Sequence, residues 1–200
     1  MREVEEILNI AAEFFKKSDY DSALANLDEA LKLEPDSEKV LFNIALCNAK
    51  KGDIDKAIKF YKKIVIANPE NYKVHAAIGD LYTEKRRFKE ALTHLNKALA
   101  LNPNYVIIHY YFGNYRLKTG DFDLAIDSYK KAKSLGSKSS KIYYGMGMAY
   151  KYKGEFGLCT NCMRLALDAN PNDKKAQKIL ASVLGLKDKM KKFNKIYKEI

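Results

Sequence analysis

Between Glu38 and Lys51 the residues Val40, Leu41, Ile44, Ala45 and Asn48 return every three or four positions. That spacing puts them on one face of an α-helix. Gly52 interrupts the pattern, which resumes with Ile54, Ala57, Ile58, Tyr61 and Ile64 on one side. Asp53 and Asp55 stand at the start of this second stretch, where the exposed N–H groups and the helix dipole favour a capping oxygen and negative charge. Asn68-Pro69 ends it, because proline cannot continue the hydrogen-bond ladder and restricts the residue before it. The pattern predicts two helices joined by a short corner.

The corner phrase is not unique. GDIDKA at 52–57 returns as GDFDLA at 120–125, with RRFKEA at 86–91 halfway between; SDYDSA at 18–23 precedes and GEFGLC at 154–159 follows, a period of 34 residues. Pro35, Pro69, Pro103 and Pro171 fall on the same lattice, with Ser137 in the remaining slot. Such a period marks a repeat architecture, and five repeats are predicted: 4–37, 38–71, 72–105, 106–139 and 140–173. Ala11, Ala45, Gly79, Gly113 and Gly147 share one position, and Ala23, Ala57, Ala91, Ala125 and Cys159 another. Small residues there let the two helices of a hairpin approach closely. Tyr20, Ile54, Phe88, Phe122 and Phe156 precede the second helix, placed to fill the gap between hairpins. One hairpin cannot bury this much apolar surface, but a stack can.

Period, small residues, aromatic slot and proline together resemble the tetratricopeptide repeat family over residues 4–173. GNYRLKTGDFDLAIDSYKKA at 113–132 carries most of the family's spaced motif. The sequence departs in having no Trp: Ile7, Leu41, His75, His109 and Tyr143 hold the slot where the family often has one. Asn48 and Arg116 stand where an aromatic is usual, and the fourth repeat ends in Leu135-Gly136-Ser137, where glycine can adopt a left-handed cap. The resemblance implies an all-α, right-handed superhelical solenoid whose first helices line a concave face.

Composition narrows the remaining possibilities. The opening MREVEEILNI is acidic and amphipathic, which predicts no secretory leader. No apolar run approaches the ~18–20 residues of a membrane helix, so a soluble cytoplasmic protein is expected. The net charge is +11, and the nine lysines of 174–200 stand against only Asp188 and Glu199. Ala176, Ile179, Leu180, Val183 and Leu184, then Met190, Phe193, Tyr197 and Ile200, form apolar stripes opposite those lysines. This predicts two helices of a degenerate sixth unit that cap the stack with a solvated basic face.

Candidate chemistry is sparse. CTNC at 159–162 has the spacing of a redox or metal half-site, but it falls within a helix and no second ligand pair exists, so buried structural thiols are expected. His75 and His109 occupy a large buried slot and are read as packing residues with a satisfied hydrogen bond; His94 is read as a helix-surface residue. GMG at 145–147 lies inside a helix and is no phosphate loop. The sequence predicts neither catalysis nor a cofactor or metal.

The first helices carry the stronger signal. Lys39, Lys73, Lys141 and Lys175 recur along one edge, with Lys118 and other lysines on the other. Leu8, Phe15, Phe42, Leu46, Tyr110, Tyr144, Met148 and Tyr152 supply an apolar and aromatic floor, with Asn114 among them. A cationic rim around such a strip suits a peptide or partner protein with acidic and apolar residues. The clamp by which some family members hold chaperone C-termini is not matched. The first three repeats supply Asn43 and Lys73 but have Leu8, Ala12 and Ala77; the last three units supply Asn114 and Lys175 but have Tyr110, Gly145 and Ile179. The alternative is nucleic-acid or anionic-surface binding through the basic tail, whose signature is a steep salt dependence. Arginine is absent from that tail, so nucleic acid is the lesser expectation.

Overall fold

A computed structural model describes residues 2–185. Within them the apolar stripes become ten helices: α1 (Arg2–Lys16), α2 (Tyr20–Leu33), α3 (Glu38–Lys51), α4 (Ile54–Ala67), α5 (Tyr72–Glu84), α6 (Phe88–Leu101), α7 (Val106–Thr119), α8 (Phe122–Ser134), α9 (Ser140–Tyr152) and α10 (Phe156–Ala169). Residues 174–185 are also helical. The chain forms two units, Met1–Pro103 and Asn104–Ile200.

In the first unit α1 pairs with α2, α3 with α4 and α5 with α6, and each hairpin packs on the next. In the second, α7 pairs with α8 and α9 with α10, with α9 also lying against α7 and α8. The small-residue positions account for the pairing. Ala23, Ala57, Ala91, Ala125 and Cys159 are all 0% exposed. A β-carbon on Gly79 would stand 2.7 Å from Cγ of Leu95, so Leu95 in its present position depends on the glycine opposite. The expected face of α3, from Val40 to Asn48, is buried throughout.

The corners show a shared backbone device. Gly52, Gly120 and Gly154 have φ of 97°, 92° and 76°, and at the same lattice position Ser18 and Arg86 have φ of 62° and 58°. All five corners thus turn through the left-handed region, two of them without glycine. Asp53 does not cap α4 through its side chain, contrary to expectation; its carboxylate meets Lys56 instead at 3.5 Å. Asp55 reaches Lys85 of the next repeat at 2.5 Å, and the same link joins Asp21 to Lys51 and, at 2.5 Å, Asp123 to Lys153.

Both departures from the usual aromatic slot are satisfied locally. Asn48 donates to the carbonyl of Ile44 at 2.8 Å. Arg116 donates to the carbonyl of Leu124 and to Ser128 Oγ at 3.2 and 2.7 Å, its guanidinium lying 5.4 Å from the Phe112 ring centre. Ala176 and Val183 of the helical 174–185 stretch join Cys159, Met163 and Ala166 in a buried cluster, as the first half of the predicted cap requires. The second half, including Met190, Phe193, Tyr197 and Ile200, lies outside the described residues.

Candidate functional site

The second unit contains a cavity of about 290 Å³ between neighbouring first helices. Its walls are Tyr110, Asn114 and Leu117 of α7, Lys141, Tyr144 and Gly145 of α9, and Asp173 and Lys175 at the start of the 174–185 helix. Tyr129 of α8 closes the floor. Its hydroxyl donates to Asn114 Oδ1 at 2.9 Å, and its ring centre lies 6.1 Å from that of Tyr110. The floor is open at this point because residue 145 is glycine: a β-carbon there would stand 2.7 Å from the Tyr129 hydroxyl oxygen. Asp173 Oδ1 accepts the backbone N–H of Lys175 and Ala176 at 3.0 and 3.1 Å, which caps the helix start with one oxygen of that carboxylate. Burial, then the nearby Asp173 and Tyr152, hold the Tyr144 phenol above its ordinary pKa, so it remains a hydrogen-bond donor. A second cavity of about 260 Å³ shares Tyr110 and Lys141 and adds the apolar Val106, Ile107 and Ile142.

The first unit holds a cavity of about 200 Å³ built from the same lattice positions. Leu8, Ala12, Phe15, Leu27, Lys39 and Asn43 stand three periods before Tyr110, Asn114, Leu117, Tyr129, Lys141 and Gly145, and both sets line their cavity. The two cells share a plan and differ in chemistry. The first has Leu8, Ala12 and Leu27 where the second has Tyr110, Asn114 and Tyr129; Leu46 and Cys47 are added to its wall, and Leu8 belongs to the buried core at 7% exposure. Its lysine is neutralised from within: Lys39 Nζ meets Glu5 Oε1 at 2.9 Å, which holds the glutamate below the usual carboxylate range.

Of the residues expected on the sequence to form the groove, the structure brings Tyr110, Asn114, Lys141, Tyr144 and Lys175 to one cavity and Lys39 and Leu46 to the other. The remaining five line neither. Phe42 is half-buried, edge-on to Tyr61 at 5.4 Å. Met148 packs against the Cys159–Met163 cluster. Tyr152 is 58% exposed and stacks on Phe122 at 5.3 Å. Lys73 extends over the Tyr72 ring at 5.9 Å, and Lys118 is exposed at the end of α7.

The cysteines are buried and the three histidines half-buried. Cys159 and Cys162 are buried in α10, and Cys47 in α3. Burial pushes the Cys47 thiol up to about 11, and burial with the neighbouring Cys159 does the same for Cys162, away from the reactive thiolate. Among the described residues no three His, Cys, Asp or Glu side chains are placed to hold a metal ion. His94 is not the surface residue its position suggests. It is half-buried, with its Nδ1 3.0 Å from that of His75, whose Nε2 lies 3.1 Å from the carbonyl of Pro69.

Family models for the tetratricopeptide repeat match residues 8–72 and 140–173, and a further TPR repeat model matches 79–120. The chain belongs to the tetratricopeptide repeat family. Its fold is that of an all-α helical-repeat solenoid, and such proteins in general are non-catalytic scaffolds that bind protein partners. A thermophilic tetratricopeptide repeat protein of Thermus thermophilus is similar in structure, with 23% identity, 90% of this chain and 98% of that chain covered, and a TM-score of 0.82. The Cut9–Hcn1 hetero-tetramer of the APC/C matches at 16% identity over 92% of this chain and 37% of that chain, with a TM-score of 0.86. A MamA protein matches at 24% identity over 88% and 96%, with a TM-score of 0.61. No curated protein matches the sequence. Among the described residues no helix is long and apolar enough to cross a membrane.

Within the repeat fold, three contributors to the second cell were not anticipated in its sequence. Tyr129 comes from a second helix, yet the glycine opposite lets its phenol reach the cavity. Gly145 was identifiable as a small residue but not as the opening. Asp173 begins a helix one unit further on, so only the repeat register connects it to Lys141.

Proposed function

We propose that this chain is a non-catalytic scaffold, five repeats bounded at 4–37, 38–71, 72–105, 106–139 and 140–173, that holds a peptide segment of a partner protein along its first helices. The observation that carries this reading is the recurrence of one cell, on matching lattice positions, in both units. A cavity that depended on chance packing has no reason to recur with its lysine rim and large floor residue in place. Each cell has the volume of one or two side chains, which suits a side chain of a bound peptide. Tyrosines such as Tyr110 and Tyr144 lose little rotamer freedom on binding and offer wide contact area, so they suit the role of anchors. The rival reading, an anionic surface held by the basic tail, depends mainly on residues beyond the described chain.

The test is selection from a random peptide display library on the full chain, followed by titration of the enriched peptides. Tyr110→Ala with Tyr144→Ala is expected to weaken binding at least tenfold, from about 1–2 kcal/mol per anchor. Circular dichroism on the double variant establishes that it is folded. Enriched peptides that bind this folded variant as tightly as wild type would place the binding surface elsewhere.

A further inference from the structure

We propose that the second cell accepts an aspartate or glutamate side chain of the bound peptide between Lys141 and Lys175, with an apolar residue beside it in the adjoining cavity. This deepens the groove reading above and rests on it.

The argument is a comparison within the chain. Glu5 and Lys39 occupy one lattice position in consecutive repeats, and at the edge of the first cell, whose wall includes Lys39, they meet as an ion pair at 2.9 Å. Lys141 and Lys175 occupy the same position in consecutive units, and both line the second cell. Where Lys39 at the first cell meets the acid Glu5 in an ion pair, the second cell has two lysines against a single carboxylate, Asp173, an excess of one positive charge. Among the described residues neither ammonium has an ion-pair partner, and the position preceding Lys141 on the lattice is the apolar Ile107. The one carboxylate on the cavity wall, Asp173, turns Oδ1 to two backbone N–H groups and, among the described residues, forms no ion pair with either lysine, so its single charge leaves one of the two ammonium charges without a counterpart. Two cations beside a half-enclosed cavity repel each other, and a carboxylate between them gains charge-assisted hydrogen bonds from both. Beside the first cell Glu5 already supplies a carboxylate to the rim lysine; in the second, the excess positive charge is left for a ligand to match.

The surroundings narrow the guest further. Donors on the cell wall include the Lys141 and Lys175 ammonium groups and the Tyr144 phenol, which stays protonated. Val106, Ile107 and Ile142 line the adjoining cavity, which shares Tyr110 and Lys141 with this cell. A peptide whose acidic side chain meets Lys141 therefore presents its neighbour to an apolar wall. The clamp used for chaperone C-termini is not reproduced, since Tyr110, Gly145 and Ile179 replace three of its five polar groups. The guest is accordingly a side-chain carboxylate within a chain.

The experiment is peptide display with the random segment flanked on both sides, so that no free C-terminus is presented. It is run on the full wild-type chain and on Lys141→Glu with Lys175→Glu. The expected result is an acidic position beside an apolar one on wild type, and lysine or arginine at that position on the charge-swapped variant. Lys141→Gln with Lys175→Gln, which introduces no new charge, is expected to weaken the wild-type peptides at least tenfold and to flatten their salt dependence. If the enriched peptides lack an acidic position but still depend on Tyr110 and Tyr144, this inference is overturned and the groove reading stands. If nothing is enriched, or binding ignores both the lysines and the tyrosines, both fall together.

Discussion

The ring of Tyr129 lies against the backbone of Gly113, so close that a β-carbon there would stand 2.6 Å from Cδ1 of the tyrosine. Tyr129 is 0% exposed, and Gly145 of α9 presses on its other end. Gly113→Leu is therefore expected to force α7 and α8 apart and to cost about 3 kcal/mol or more, at the upper end of overpacking penalties. A thermal melt unchanged by this substitution contradicts the packing described for the second unit.

Ser18 and Arg86 stand in the left-handed corner where Gly52, Gly120 and Gly154 stand in the other repeats. A residue with a β-carbon costs about 1–2 kcal/mol in that conformation, of which the extra freedom of glycine in the unfolded chain cancels part. Ser18→Gly and Arg86→Gly are each expected to stabilise by about 0.5–1 kcal/mol. Urea midpoints that fall rather than rise would show that these side chains contribute something the corner geometry does not reveal.

His94 is held neutral by burial, by the facing His75, and by Lys62, and its pKa falls to about 4. His75 is lowered as well, mainly by burial, with Lys97 nearby. A base whose folded pKa lies below its unfolded value of about 6.5 binds protons more readily when unfolded. Its stabilisation is complete above about pH 6.5 and is lost as pH falls towards 4. Between about pH 7 and pH 5 the wild type is expected to lose on the order of 1 kcal/mol more stability than His94→Gln, allowing for partial solvent screening. Parallel pH profiles for the two proteins would remove the histidine pair from the account.

The buried thiols give a chemical check on the CTNC motif. Cys47, Cys159 and Cys162 are expected to react with a maleimide far more slowly in the native chain than in urea, since all three are buried from the reagent and burial also disfavours the thiolate of Cys47 and Cys162. Rapid native labelling of Cys162 would reopen a redox role for that pair.

Most of the fold was legible because the signals agreed: the small-residue lattice, the corner phrase and the prolines all gave the same register. The site was less legible. Lys141 and Lys175 could be placed on a shared edge by counting, but whether an edge lysine is neutralised depends on its neighbour one repeat away. Tyr110 and Tyr144 were expected to stand clear of the core, yet both are half-buried: Tyr110 packs beside Tyr129, and Tyr144 against the Cys159–Met163 cluster. Helical periodicity gives a direction from the axis, not the thickness of the layer beyond it. His94 shows the same limit, since its pairing with His75 crosses from one helix to another and leaves no mark in the spacing.

The central claim is that a partner peptide binds on the first helices, at the recurring cell. Nuclear magnetic resonance shift mapping tests it most directly, with a display-selected peptide titrated into the isotope-labelled full chain. The account predicts the largest shifts at Tyr110, Asn114, Lys141, Tyr144 and Gly145, with Leu124 and Leu158, exposed on the second helices, nearly still. Saturable binding that moves Leu124, Leu158 and their neighbours on α8 and α10 while leaving the cell residues unmoved would contradict it.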